Sequence, residues 1–247
     1  MLDKKTAIEI DALREGGKIL HEVLYAVAAK VQPGVSGLEL NKFAEELIAK
    51  AGAKPSFKNY HGFPNSLCVS INQTVVHGIP NKMPLKEGDI VGLDLGIKYK
   101  GLYTDMALTV PVGKISKAAE KLLTVTKKSL EIALSQVGPD RGIEEIGQAI
   151  ENFVKPHGYG IVKDLAGHGV GRAVHEDPFV PNYNVGHKLA KMFPGLVLAI
   201  EPMLVMGGDF RVVTADNGWN VDSHDGSLCA HFEHTVVVTE DGCEILT

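Results

Sequence analysis

The sequence predicts an α+β protein built from two similar halves, each with two helices followed by strands. Apolar residues recur every three or four positions in the helical segments, whereas the strands appear as short continuous apolar runs. The order helix, helix, strands occurs twice along the chain. A repeated order of this kind indicates an internal duplication.

In the first half, an amphipathic pattern predicts a helix over residues 6–31. The stretch VQPGVSG at 31–37 contains proline and glycine and predicts a break. A second helix is predicted over roughly 37–52. Apolar runs at 66–79 and 90–112 then predict strands.

The second half repeats this order. Helices are predicted over 116–136 and 143–157, separated by the break VGPDRG. Strands are predicted over 196–206 and 230–238. The chain is therefore expected to form a single catalytic domain, 1–247, with a pseudo-repeat of roughly 6–113 and 114–247.

An alignment of the chain with itself supports the repeat. Shifted by 106 residues, 31–52 lies over 137–158 with identities at Val31, Pro33, Glu39, Glu45 and Gly52. Further along, Asp94 lies over Glu201, and a longer shift places Asp105 over Glu233. The additional residues fall in the segment 204–228. Segments of similar composition can also align by chance, so this alternative stays open.

Composition excludes several classes of protein. With 45% hydrophobic and 22% charged residues the composition is globular, and no apolar run approaches the roughly 20 residues of a membrane span. The amino-terminal segment mixes charges with apolar residues, unlike a signal peptide. Three cysteines without a CxxC pair suggest a reducing compartment, so we expect a cytoplasmic protein. A net charge of −5 argues against nucleic-acid binding.

Four acidic residues in apolar surroundings require explanation. Asp94 interrupts the run IVGLDLGI, and an unpaired carboxylate buried in a strand is costly. For Asp105 and Glu233 taken alone, a solvated strand face is an equally good interpretation, but their positions in the repeat favour convergence with Asp94 and Glu201. The flanking residues are apolar, so divalent metal is a simpler counter-charge than lysine or arginine. His168, in AGHGVG, offers a nitrogen ligand beside glycines that permit close approach.

Two further histidines precede turns that contain proline. His77 lies in VVHGIP and His175 in AVHEDP, positions that predict strand ends facing a cleft. An ordinary surface position or a hydrogen-bonded core position is the default interpretation for the others, which are His61, His157, His187, His224 and His231.

Five motifs together resemble the type I methionine aminopeptidases. They are VVHGIP, the pair Asp94 and Asp105, GHGVGRAVHEDP, AIEPM and FEHTVVV, in that order along nearly the whole chain. The resemblance implies the pita-bread fold, with two pseudo-symmetric halves around a curved antiparallel sheet. In this family an aromatic residue often occupies the position of Val174, so the resemblance does not define the shape of the pocket rim in this chain.

The resemblance also implies roles for residues of this chain. Two divalent ions (Co, Mn, Fe or Zn) would be held by Asp94, Asp105, His168, Glu201 and Glu233. Asp105 and Glu233 would bridge the ions, and a metal-bridging hydroxide would attack the scissile carbonyl. Glu201 would act as the general base, while His77 and His175 would contact the substrate around the scissile bond.

The implied substrate is the amino terminus of a nascent polypeptide that starts with methionine and has a small second residue. Candidates for the methionine pocket are Tyr60, His61, Phe63, Cys68 and Trp219. For Phe63 and Cys68 the alternative is plain core packing. The expected protein is a monomer without membrane or nucleic-acid partners, and docking at the ribosome is left open.

Two other functions stay open from the sequence. An X-Pro aminopeptidase or prolidase resembles the same ligand set, although such enzymes usually carry an additional amino-terminal domain. A metal-free binding module on the same fold is the alternative of a different class. It would be expected to have lost some of the five ligands that this chain retains.

Overall fold

Four α-helices occupy the ranges that the hydrophobic pattern predicted. The computed structural model describes residues 2–247. The helices are α1 (Ala7–Ala28), α2 (Gly37–Lys50), α3 (Lys117–Leu134) and α4 (Glu144–Val154). Each begins or ends a few residues inside its predicted range, and 3₁₀ turns lie at Tyr60–Gly62 and Lys155–His157. None of the helices formed by these residues is long and apolar enough to cross a membrane.

Three of the four helices, α1, α2 and α3, start at a side-chain cap that the sequence encodes. Thr6 and Ser36 each accept a hydrogen bond from the backbone N–H three residues later, and the glutamate there (Glu9 or Glu39) returns a bond to the cap backbone at α1 and α2. Each box therefore satisfies two groups that the first turn would otherwise leave unpaired. At α3, Ser116 forms the first of these bonds with Ala119.

The strands are shorter and more numerous than the sequence predicts. They are β1 (Lys54–Pro55), β2 (Leu67–Ile71), β3 (Thr74–Val76), β4 (Ile90–Tyr99), β5 (Leu102–Pro111), β6 (Gly160–Ile161), β7 (Gly167–Gly169), β8 (Glu176–Val180), β9 (Val197–Ile200), β10 (Met203–Val205), β11 (Val212–Thr214), β12 (Val221–Ser223), β13 (Cys229–His231), β14 (Glu233–Val238) and β15 (Cys243–Ile245).

Turns divide the long apolar runs. Asn72, with φ of 54°, separates β2 from β3, and Lys100 and Gly101, with φ of 49° and 89°, form the two-residue turn between β4 and β5. Positive φ at both central residues is the geometry of a tight hairpin turn. The predicted strands 196–206 and 230–238 are likewise each divided in two.

One large antiparallel sheet connects the two halves. Its order is β1-β4-β5-β14-β9-β7-β8, with β2 also paired to β4 and β15 to β14. The halves meet where β5 pairs with β14. Two smaller sheets, β13-β10-β6 and β11-β12-β3, complete the fold.

Strand alternation separates the apolar core from the acidic residues. Leu93 and Leu95 of β4 and Met106 and Leu108 of β5 pack into the core beneath α1 and α2. A second core lies among α3, α4 and strands of the second half. Because successive side chains point to opposite faces, Asp94 lies on the sheet face away from the helices.

Candidate metal centre

Strand register brings the predicted acidic ligands onto one face of the large sheet. Asp94 pairs with Ala107, and Ala107 pairs in turn with Glu233, so these residues form one row across β4, β5 and β14. Asp105 lies two residues before Ala107 and therefore points to the same face. Its backbone N–H donates to the Thr235 hydroxyl at 2.9 Å, which ties β5 to β14 beside the row.

Neighbouring strands add the remaining two predicted ligands. Ala199 of β9 pairs with Thr235 on one side and with His168 of β7 on the other. Glu201 lies two residues after Ala199 and so faces the same side. Between the functional side chains the register places Ala107 and Ala199, whose small side chains leave space above the sheet.

The five groups lie close enough together to share a cation. One side-chain atom each from Asp105, His168 and Glu233 lies within 4.8 Å of the other two. Glu201 Oε1 is 3.5 Å from His168 Nε2. Asp94 Oδ1 is inaccessible to water and has no hydrogen-bond partner within the described residues, which is an unstable position for a carboxylate unless a cation satisfies it.

Electrostatics also favour a cation at this site. Desolvation is the main cause that raises the pKa of Asp94 to about 7 and that of Glu201 to about 8, and it raises the pKa values of Asp105 and Glu233 well above their usual range. Within residues 2–247 no lysine or arginine forms an ion pair with any of the four carboxylates, and Glu201 alone lies at ion-pair distance from histidines, His168 and His231. Four oxygen donors and one imidazole suit a divalent ion of intermediate hardness, so the residues present fit such a metal.

His77 and His175 both line the cavity that contains this cluster. His77 follows β3 with a positive φ of 58°, and burial lowers its pKa to about 4. The His175 ring lies 4.4 Å from that of His168, and its Nδ1 is 3.0 Å from the Tyr60 hydroxyl. Burial lowers the pKa of His175 as well, so both rings are neutral near pH 7.

A cavity of about 530 Å³ opens above the five groups. All five predicted members of the methionine pocket line it, namely Tyr60, His61, Phe63, Cys68 and Trp219. Phe63 and Cys68 are buried and also belong to a small apolar cluster, so the two roles left open for them are compatible. The Phe63 and Trp219 rings meet edge to face at 5.2 Å. Phe57, which no sequence motif indicated, lines the same cavity.

A buried lysine holds the loop that carries His175. The Nζ of Lys5, whose side chain is 1% exposed, is 2.6 Å from Glu176 Oε2 and 3.2 Å from Asp3 Oδ2. The other oxygen of Glu176 accepts hydrogen bonds from the backbone N–H groups of Arg172 and Ala173. The amino-terminal segment is thereby linked to the residue next to His175, a contact that no motif indicated.

The sequence reasoning also missed His231. It was assigned a default surface or hydrogen-bonded core position, yet its ring is buried and its Nε2 lies 3.4 Å from Glu201 Oε2. A signal did exist, because His231 lies two residues before Glu233 in the same apolar run. Alternation of side chains along a single strand would place His231 and Glu233 on the same face. The chain changes sheet at Phe232, however, so this alternation does not continue from His231 to Glu233.

Comparisons with known proteins agree with this geometry. The metallopeptidase family M24 matches residues 11–240. The methionine aminopeptidase of Clostridium perfringens is 46% identical over 247 residues, which cover 100% of this chain and 99% of that protein. The crystal structure of methionine aminopeptidase from Thermotoga maritima superposes with a TM-score of 0.97 at 41% identity, covering 100% of this chain and 99% of the other.

A more distant neighbour shares the fold alone. The prolidase from Pyrococcus furiosus has a TM-score of 0.80 at 23% identity, and the match covers 99% of this chain but 65% of the prolidase. Together these likenesses confirm the predicted pita-bread fold, and the near-complete match to methionine aminopeptidases confirms the predicted class of metal-dependent hydrolase. The chain therefore belongs to metallopeptidase family M24, among its methionine aminopeptidases.

Proposed function

We propose that this chain removes the amino-terminal methionine from nascent proteins and peptides, and that Asp94, Asp105, His168, Glu201 and Glu233 hold two divalent ions for that reaction. The observation that carries the proposal is the meeting of these five groups on one sheet face without lysine or arginine counter-charges. Asp105 and Glu233 are the most buried carboxylates, at 4% and 2% exposure, and come from the strands that join the halves. They would hold the ions together with Asp94, His168 and Glu201.

Divalent ions in such a site supply a water activated for attack and polarise the scissile carbonyl. Glu201 would act as the general base, because its side chain reaches the cavity and a carboxylate there can accept the proton of the attacking water. The same residue then delivers the proton towards the departing amine.

The two cleft histidines orient the peptide bond. When the Tyr60 hydroxyl donates to Nδ1 of His175, the neutral ring carries its proton on Nε2 and can donate to the carbonyl oxygen. A donor placed there stabilises the negative charge that develops on that oxygen. His77, fixed by its buried position at the end of β3, holds the nitrogen side of the bond.

The apolar wall provides a binding site for methionine. Phe63, Cys68 and Trp219, with Tyr60 and His61 at the edge, suit an unbranched thioether, which also makes favourable contacts with aromatic rings. A small second residue is preferred because the scissile bond must enter between His77 and His175.

Peptide hydrolysis with metal added back tests this proposal. The metal-free protein should regain cleavage of Met-Ala-Ser when Mn, Fe, Co or Zn is supplied. Cleavage of Met-Pro or Ala-Pro peptides in preference to Met-Ala-Ser would instead identify an X-Pro peptidase. A protein that binds no divalent ion and gains no activity with any of them would be a binding module on this fold.

We also propose the organisation and setting of the enzyme. One catalytic domain, 1–247, with a boundary between repeats near 113, is supported by the large sheet that runs through both halves. The enzyme is proposed to work as a monomer in the cytoplasm, on chains emerging from the ribosome. Analytical ultracentrifugation of the purified protein, alone and with ribosomes, tests the first and last of these statements.

A further inference from the structure

His231 lies behind the predicted metal ligands and is held rigidly there. It ends β13, pairs with Met203 of β10 and is 3% exposed. The Thr109 hydroxyl donates to its carbonyl oxygen at 2.8 Å and accepts from its N–H at 2.9 Å. Because its backbone is bonded from two sides, the ring has little freedom to turn away.

The ring is directed at Glu201. His231 Nε2 is 3.4 Å from Glu201 Oε2, whereas the other oxygen, Oε1, is 3.5 Å from His168 Nε2. The His231 Nε2 is sealed from solvent and has no other partner at hydrogen-bond distance among the described residues. A buried polar atom without a partner is costly, so a small approach that completes a bond to Oε2 is favourable.

The position of His231 argues against a direct metal or substrate contact. Glu201 lines the cavity, whereas His231, in the part of the chain that the structure describes, does not. His231 is therefore not part of the cavity wall and approaches that wall through Glu201.

We infer that His231 is a positioning residue, which donates a hydrogen bond from Nε2 to Glu201 Oε2 and so leaves Oε1 turned towards His168 and the cation. Glu201 follows the end of β9, where regular strand pairing no longer fixes its side chain. Groups that orient a metal ligand from behind typically contribute 10- to 100-fold in metal affinity or activity. The inference rests on the proposed function, since it assigns Glu201 to that metal site.

Three substitutions of His231 test the inference through metal affinity. His231→Gln places an amide N–H₂ near the Nε2 position, His231→Asn has a shorter side chain that does not reach Oε2, and His231→Leu has no donor. Titration calorimetry with Mn²⁺ on the metal-free proteins should show wild-type affinity within about threefold for the Gln variant and about 10- to 100-fold weaker binding for Asn and Leu. For peptide cleavage by the Asn variant, kcat should fall while KM stays unchanged.

A matched control is His234→Leu. His234 is another largely buried histidine on the adjoining strand, but its Nδ1 faces Thr247 at 3.1 Å rather than the metal ligands. Its removal should leave Mn²⁺ affinity unchanged. If the Leu variant of His231 does not fold, the Gln and Asn variants, both polar, still give the comparison.

Two results would overturn the inference. Equal Mn²⁺ affinity in all three variants would make His231 a packing residue. An equal loss of Mn²⁺ affinity in the Gln, Asn and Leu variants, together with one fewer bound ion, would identify His231 as a metal ligand. Neither result concerns the proposed function, which fails separately if the wild-type protein binds no Mn²⁺ and cleaves no Met-initiated peptide.

Discussion

The two halves of the molecule supply similar acidic residues from different kinds of backbone. In the first half, Asp94 and Asp105 lie inside β4 and β5, ten-residue strands paired along their whole length. In the second half, Glu201 follows the four-residue strand β9, and Glu233 begins β14. Both glutamates lie where the chain passes between the large sheet and the small sheet β13-β10-β6.

This difference indicates how a duplicated framework can become asymmetric. A regular hairpin fixes the first pair of acids through its own register. A change of sheet leaves a residue such as Glu201 accessible from the cavity and from behind, where His231 stands. The second half therefore relies more on contacts between distant segments to orient its ligands.

The largest predicted effect comes from neutralising one central carboxylate in each half. Asp105→Asn and Glu233→Gln should each lower kcat/KM by about 1,000-fold or more, roughly 4 kcal/mol of transition-state stabilisation, because a carboxamide is an uncharged and weaker ligand. The number of bound ions, measured by elemental analysis, should fall in both variants. Equal losses would show that the two backbones support equivalent ligands.

Asp11→Asn is the control for that prediction. It removes the same charge from an exposed position on α1, where the carboxylate pairs with Arg14, and should leave activity and metal content unchanged. Full metal content in Asp105→Asn or Glu233→Gln would contradict the assignment of that residue as a ligand.

A smaller effect is expected from the cleft histidines, again one from each half. His77→Ala and His175→Ala should each lower kcat by about 100- to 1,000-fold, since each removes a group that contacts the reacting peptide bond. Metal content should stay at the wild-type value in both. Loss of metal in His77→Ala would place His77 among the ligands and break the proposed division of roles.

The first half was the more predictable from sequence, for a physical reason. Asp94 interrupts a long apolar strand, and a charge in such a run is visible without knowledge of its partners. The capping boxes at Thr6 and Ser36 are equally local features, and they lie where the hydrophobic pattern predicted two helices to start. Where a short stretch of sequence decides the structure, the prediction was correct to within a few residues.

The second half depends on contacts that no local pattern encodes. The predicted strand over 230–238 contains a change of sheet at Phe232, which puts His231 and Glu233 in different sheets. Lys5 resembles any charged residue before a helix, and its burial follows only from Glu176, 171 residues away. The sequence repeat predicted that Glu201 and Glu233 lie near Asp94 and Asp105. The row of residues across β4, β5 and β14 is visible only from the strand order and register of the structure.

Lys5→Met tests how far the second half relies on such a distant contact. The substitution leaves the Glu176 carboxylate with its backbone donors but without its cation, and breaking a buried ion pair on one side costs about 3 kcal/mol. Urea unfolding should show this loss of stability. Peptide cleavage should show a lower kcat with metal content unchanged, because the loop before His175 is less well held.

Lys100→Met is the matched control in the first half. Lys100 forms an ion pair of 2.8 Å with Glu15, but both side chains are about half exposed, so solvent screens the pair and it should contribute little to stability. A loss of stability in Lys5→Met no larger than in this control would contradict a special role for the amino-terminal segment. A loss of stability without any change in kcat would confine that role to folding.

The smallest effect concerns the stability of the metal-free protein between about pH 6.5 and 8. The pKa of Asp94 is raised to about 7 and that of Glu201 to about 8, so the folded state retains protons that the unfolded state has already released. These two carboxyl groups therefore make stability fall as pH rises across this window. The lowered pKa values of His77, His168 and His231 act in the opposite direction, up to about pH 7.5, and partly cancel the trend at the lower end of the window.

Thermal unfolding of chelator-treated protein at pH 6.5 and pH 8 measures this change, and the protein loaded with Mn²⁺ is the control. Bound cations replace the protons on the carboxylates, so the loaded protein should lose no stability at the higher pH. Comparison of Asp94→Asn with Glu201→Gln separates the contributions of the two halves to this pH dependence. The Glu201 variant should remove more of the pH dependence, because the pKa of Glu201 lies higher and its proton is retained across more of the window. A metal-free protein that is as stable at pH 8 as at pH 6.5 would show that the acids of both halves are already ionised without metal.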